Sequence, residues 1–148
     1  MLEFKKILFP VDLSETSPKL VPYVRTMADK FGAQIHLLFV ARIFDYFSTI
    51  YVPTDSISKF EKELMEGAAK RLQEFKEEHF HANPDIRAIV VHGDASEEIL
   101  NYTRAEGIDM IVLGTHGRKG LDKIVFGSVA ERVTRAAAVP VFLVNPHR

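Results

Sequence analysis

Gly114-Thr115-His116-Gly117-Arg118-Lys119-Gly120 follows the apolar run Met110-Ile111-Val112-Leu113, and a few residues later the chain reaches Gly127-Ser128. From Ser128 to Ala136 apolar residues recur at helical spacing, so the order is strand, glycine-rich loop, helix. Glycine lets backbone N–H groups approach a ligand with no Cβ in the way. A helix N-terminus adds unpaired donors and the positive end of the macrodipole. The guest suited to that combination is a phosphate. Gly127-Ser128 offers it two backbone amides and one hydroxyl, and Arg118, Lys119 and Lys123 add positive charge to the same loop. The P-loop pattern G-x-x-x-x-G-K-[ST] and the dinucleotide pattern G-x-G-x-x-G are both absent. What stands instead is G-x-x-G, nine residues, then G-S, which a loop using glycine only for turn geometry would also satisfy.

These residues need a scaffold, and the composition bounds it. At 148 residues the chain, 1–148, fits one domain with a substantial core. Charged residues make up 26% and hydrophobic ones 47%, which argues against disorder. Nineteen Lys and Arg against twenty Asp and Glu give a formal charge of −1, so no global field draws the protein to nucleic acid or an acidic membrane. Any anion site is local. Cysteine is absent, which excludes a disulfide framework, a thiolate metal site and a cysteine nucleophile. No signal peptide or membrane span is evident, and the expected location is the cytoplasm.

Taken in order, Ile7-Leu8-Phe9-Pro10-Val11 is a short apolar run of the kind covered on both faces of a parallel sheet, ending at Asp12. Thr16 or Ser17 can cap the next helix with Pro18 near its first position. Leu20, Val24, Met27, Ala28 and Phe31 form its stripe, and Gly32 stops it. Pro22 should distort the first turn. Gln34 to Val40 reads as the second strand, with His36 a packed or edge residue rather than a ligand. The loop from Ala41 to Pro53 carries Phe44, Tyr46, Phe47 and Tyr51, which suit a ligand, a partner or local packing equally.

The longest helix should run from Ser56 or Ser58 to near His79, with Ser58 and Glu61 as a capping box and Phe60, Leu64, Ala68, Leu72 and Phe75 as its apolar stripe. Its charges, among them Glu61, Lys70 and Glu74, read as a solvated face. Ile86 to Val91 is the third strand, closed by His92-Gly93-Asp94. Asp94 with Glu97 caps a helix ending at Gly107, Met110 to Leu113 is the fourth strand, and Val139 to Val144 the fifth. Strands alternating with helices imply an open, five-stranded parallel sheet with helices on both faces, a Rossmann-like α/β fold. Its ligands bind where the strand order reverses, beyond the carboxyl ends of the strands. Asp12, Val40, Gly93 and the Gly114 loop all sit at such ends and can share one crevice. The fifth strand, expected at the sheet edge, is almost wholly apolar from Pro140 to Val144 and should be covered, by an identical strand of a second copy or by the aromatic loop.

Five pieces in order carry a resemblance over the whole chain: I-L-F-P-V-D-L-S-E-T-S at the start, Val91-His92-Gly93 with Asp94, I-V-L-G-T-H-G-R from Ile111, Gly127-Ser128, and the closing P-V-F-L-V. Together they look like the ATP-binding branch of the universal stress protein family. The resemblance implies an adenine nucleotide alpha-hydrolase-like domain that binds ATP and pairs into a homodimer. In that likeness Pro10, Val11 and Asp12 match the first-strand motif, where backbone groups meet adenine and the carboxylate meets ribose hydroxyls; Asp12 alone could equally be a turn former. Val40 matches an apolar residue against the base, a position that also suits sheet core. Gly114, His116 and Gly117 match the first glycine turn, with His116 reaching a phosphate or orienting the loop. Gly127, Ser128 and Val129 match the phosphate cradle, and Ala130 stands where some relatives carry a second hydroxyl. Mg²⁺ would accompany ATP, held mainly by phosphates and water.

Rival α/β machines lack their parts. A phosphoacceptor receiver needs an aspartate directly after the third strand, where His92-Gly93 stands, and a lysine after the fifth, where Asn145-Pro146 stands. The H-x-G-H pair of nucleotidyl transferases and the S-G-G-x-D-S loop of ATP pyrophosphatases are absent, and the turn after the first strand lacks the glycine of a flavodoxin loop. With no carboxylate evidently aimed at a γ-phosphate, the expected role is a nucleotide-dependent regulatory protein with slow ATP hydrolysis at most. The alternative is an interaction module of the same fold that binds no nucleotide.

Overall fold

The computed structural model describes residues 1–42, 54–81, 83–116 and 127–147. Gly117, the cations of the glycine loop and the aromatics between Ala41 and Pro53 lie outside the described residues. Five strands, β1 (Lys6–Pro10), β2 (Gln34–Ala41), β3 (Arg87–His92), β4 (Met110–Gly114) and β5 (Val141–Val144), alternate with α1 (Ser17–Phe31), α2 (Thr54–Phe80), α3 (Ala95–Glu106) and α4 (Ser128–Ala136). All ladders are parallel, and the order across the sheet is β3-β2-β1-β4-β5. The order reverses between β1 and β4, because the chain winds outward from β1 to β3, returns across the sheet to β4 and continues to β5. Right-handed crossovers then force α1 and α2 onto one face and α3 and α4 onto the other.

Alternation along the strands divides the core accordingly. Ile7, Phe9, Ile35 and Leu37 pack with Leu20 and Val24 of α1 and Leu72 and Phe75 of α2. Leu8, Leu38, Ile111 and Leu113 pack with Ile99 of α3 and Val133 of α4. Each fully buried side chain of this size contributes about 1.5–3 kcal/mol by leaving water, and the double coverage is why the strands read as continuous apolar runs.

The helix ends show how local chemistry fixes the frame. Pro18 sits in the first turn of α1, and Gly32, at φ 63°, returns its N–H to Ala28. Thr16 occupies the N-cap without a side-chain cap bond, so the expected hydroxyl cap is not made; Lys19 N–H reaches back only to Thr16 O in a tightened first turn. Pro22 is accommodated inside α1, exposed to solvent. Asp94 caps α3 through Glu97 N–H at 3.1 Å, and its carboxyl is held below the ordinary carboxylate range chiefly by the Ser96 hydroxyl. Gly93 holds φ 140°, a conformation strained for any L side chain, and a Cβ there would press on the Glu98 side chain at 3.1 Å.

Three expectations are corrected. α2 starts at Thr54, so Ser58 lies inside the helix rather than capping it, and Glu61 pairs with His92 at 3.3 Å. Phe60 and Phe31 belong to the apolar stripes by spacing yet are 38% and 45% exposed, Phe31 meeting the Phe4 ring at a 56° tilt, 4.9 Å between centroids. The fifth strand begins at Val141, with Pro140 contributing only its carbonyl to Ile111 N–H. Among the described residues no helix is long and apolar enough to cross a membrane.

Candidate functional site

Where β1 and β4 diverge in connection, their carboxyl ends open a cavity of about 950 Å³. Pro10, Val11 and Asp12 at the end of β1, Val40 on β2, Gly114 and His116 at the end of β4, and Gly127, Ser128 and Val129 at the start of α4 all line it. The topology therefore gathers every described residue of the expected site, over a separation of more than a hundred positions in sequence. Gly93 closes the β3 end by bonding to Ala41 O and does not line this cavity.

The turn after β1 is organised by Asp12. Its Oδ1 accepts from Ser14 N–H at 3.0 Å, Ser14 Oγ at 2.7 Å and Ser17 Oγ at 2.9 Å. Among the described residues Oδ2 takes no hydrogen bond, so one carboxylate oxygen is spent on the turn and the other remains as an acceptor at the cavity wall. Asp12 is thus both turn former and candidate ligand group. The same turn holds Leu13 at φ 60°, a left-handed conformation that costs an ordinary residue about 1–2 kcal/mol. Three hydrogen bonds to a charged acceptor offset that strain.

On the opposite wall the glycines stand where backbone comes close. A Cβ on Gly114 would lie 3.2 Å from His116 O and 3.3 Å from Leu20, and one on Gly127 would lie 3.3 Å from Thr115 O. Gly127 N–H donates to Thr115 O at 2.6 Å, while Glu131 N–H closes the first turn onto Gly127 O. The Gly127 amide, expected to offer a phosphate donor, is thus bonded within the loop, and Gly127 lines the cavity. The donors that α4 presents without an acceptor among the described residues are those of Ser128, Val129 and Ala130, with the Ser128 hydroxyl beside them. His116 is oriented by its neighbour, Nδ1 lying 2.9 Å from Thr115 Oγ1, and its ring meets that of His147 edge-on at 4.9 Å between centroids.

The α2 wall was not legible in advance. Gly67 and Ala68 leave the cavity open on that side, and Lys70, Arg71 and Glu74 border it together with Arg42. Lys70 and Glu74, read from sequence as part of a solvated face, thus stand at the rim. Small residues at Gly67-Ala68, one turn before the charges, were the available signal. Among the described residues no three His, Asp or Glu side chains converge as a metal cluster.

Fold and crevice together define an open, doubly wound α/β protein with a cavity at the switch point. The chain matches the universal stress protein family over residues 3–145, and it belongs to that family. It is 31% identical to universal stress protein MJ0577 of Methanocaldococcus jannaschii, over 96% of this chain and 95% of that protein. The solved structure of MJ0577 superposes with a TM-score of 0.82, each chain covered to 97% at 29% identity. More distant members share the fold: a universal stress protein solved in complex with cAMP (TM-score 0.61, 18% identity, coverage 98% and 99%), and one from Archaeoglobus fulgidus in complex with dAMP (TM-score 0.59, 16% identity, coverage 97% and 100%).

Proposed function

We propose that this protein binds ATP in the switch-point cavity and acts as a nucleotide-dependent regulatory protein. The observation that carries the reading is the meeting, in one cavity, of the α4 N-terminus with the unspent oxygen of Asp12. Phosphates suit the first, through the amides of Ser128, Val129 and Ala130 and the positive end of the helix. The paired hydroxyls of a ribose suit the second, because an ionised carboxylate only accepts.

Strand geometry supports adenine as the base. Leu38 O accepts from Val11 N–H on the β1 side, and Ala41 O accepts from Gly93 N–H on the β3 side. By the period-two alternation of a strand, Val40 directs its N–H and C=O toward the β1 side, beyond the end of β1. A carbonyl next to an N–H complements the exocyclic amine and ring nitrogen of adenine and opposes the reversed donor and acceptor of guanine. The complexes of related proteins with cAMP and dAMP agree with an adenine nucleotide.

Mg²⁺ would be carried by the phosphates and water, which fits a cavity whose carboxylates, Asp12, Glu63 and Glu74, do not converge as a metal cluster among the described residues. The protein works as a homodimer in the cytoplasm, its β5 edges paired about a two-fold axis. Phe142 on that edge strand is 37% exposed and lies 6.4 Å, ring to ring, from the exposed Tyr23. Titration calorimetry with MgATP and MgGTP tests the reading. ATP should bind with GTP weaker by about 100-fold or more, since mismatched polar groups are left unpaired. A folded protein that binds neither, or binds both equally, refutes it.

A further inference from the structure

On the face of β2 that packs against α3 lies a buried imidazole that the nucleotide reading does not use. His36 is fully buried. Its Nδ1 lies 2.6 Å from the Tyr102 hydroxyl and its Nε2 3.0 Å from Gln34 Oε1, while Gln34 Nε2 donates to Asp85 O at 2.9 Å. That last bond fixes the amide and hence the tautomer: the His36 proton sits on Nε2, and Nδ1 accepts from tyrosine. Burial, followed by the Glu106 charge, pushes the Tyr102 hydroxyl up to about 12, so it remains a donor at every physiological pH. The chain of bonds ties α3 to β2 and to the segment leading into β3.

The tie ends one residue layer below the cavity. Leu38 is the next residue of β2 on the same face, and Ile99 stands one turn before Tyr102 on α3; both line the cavity. We propose that Gln34, His36 and Tyr102 form an acid-operated latch, which at neutral pH holds α3 down over the cavity floor and which protonation of the imidazole releases. A proton on Nδ1 converts the acceptor of the tyrosine hydroxyl into a second donor. It also creates a cation beside Arg87, the register partner of His36 on β3, and Lys6 on β1, with Glu106 of α3 the opposing anion.

Burial above all, then Arg87 and Lys6, lower the proton affinity of His36 below that of an ordinary imidazole. The sign follows: the unfolded chain binds the proton more readily, so the latch contributes its full stability above the ordinary histidine value near 6.5 and loses it as pH falls through the lower folded value.

Amide hydrogen exchange on the ligand-free full chain tests this. Between about pH 7.5 and about pH 5, after correction for intrinsic rates, protection of α3 should fall about tenfold or more relative to α1. His36→Gln can donate to Gln34 and accept from Tyr102 without titrating, so it should keep α3 protected and abolish the acid step. Tyr102→Phe removes the donor that favours the neutral ring, so it should move the step to higher pH. Equal loss in α1 and α3 of the wild type, or an acid step surviving in His36→Gln, overturns the latch. Should His36→Gln fail to fold, an unmoved midpoint in Tyr102→Phe overturns it instead.

Discussion

Replacing Asp12 by asparagine separates its two duties. Oδ1 serves the turn through Ser14 and Ser17, whereas Oδ2 takes no hydrogen bond among the described residues and Asp12 lines the cavity. In Asp12→Asn the three inner donors hold the amide oxygen inward, and the outward atom becomes an NH₂ group, which donates. A hydrogen bond to a charged group contributes about 1.5–3 kcal/mol, against about 0.5–1.5 for a neutral one. Exchanging the ribose acceptor for a donor that only the hydroxyl oxygens can satisfy should then cost about 1–2 kcal/mol, or about 5- to 30-fold in Kd. Asp12→Ala, by contrast, strips the buried Ser17 hydroxyl and two groups of Ser14 of their acceptor and should destabilise the fold by about 2–4 kcal/mol. Calorimetry with ATP and 2′-deoxy-ATP on both wild type and Asp12→Asn closes a double-mutant cycle. The deoxy penalty should be about fivefold on the wild type and largely vanish in the variant, because the two changes remove the same bond. A folded Asp12→Asn with wild-type ATP affinity, or with the full deoxy penalty, refutes the assignment of Oδ2 to the sugar.

Gly127→Val places a branched side chain at the start of α4, its Cβ 3.3 Å from Thr115 O. Since Gly127 holds φ −63° and ψ 152°, open to any residue, the fold should lose only about 1 kcal/mol while ATP affinity falls by about 30-fold or more; calorimetry on a folded variant with undiminished affinity would remove the cradle. For the β5 edge, sedimentation should give a dimer for the wild type at micromolar concentration and a monomer for Phe142→Lys, whose position is exposed enough to spare the core. A monomeric wild type or a dimeric variant excludes that interface.

Most of the frame was legible because double coverage writes itself into sequence as short apolar runs, because Gly32 and Gly107 end helices in a left-handed conformation that few other residues tolerate, and because the Asp94 side chain caps the start of α3. Helix faces were less legible. Phe31 keeps the spacing of a core residue yet is the last residue of α1, where it stays 45% exposed. The start of α2 was misplaced because Ser58 and Glu61 have the right letters for a capping box, but nothing in a capping motif prevents the helix from starting a turn earlier, at Thr54, with Asp55 in its first turn.

The site itself divides along the same line. What depends on backbone torsion and strand ends could be read: Asp12 after β1, Gly114 at the end of β4 and Gly127 before α4 line one cavity because the switch point brings those ends together. What depends on how a hydrogen bond is spent could not. The Gly127 amide, at the start of α4, donates to Thr115 O; the Asp12 carboxylate, which reads as either a turn former or a ligand group, gives one oxygen to the turn and leaves the other without a hydrogen bond among the described residues. Leu13 at φ 60° gave no sign in sequence at all, since leucine is not a turn residue. Its strain is tolerated because the carboxylate beside it binds three donors. The arrangement has a consequence for ligand binding: the free oxygen is held rigidly by the bonds of its twin, so little conformational entropy is left to lose when a sugar arrives.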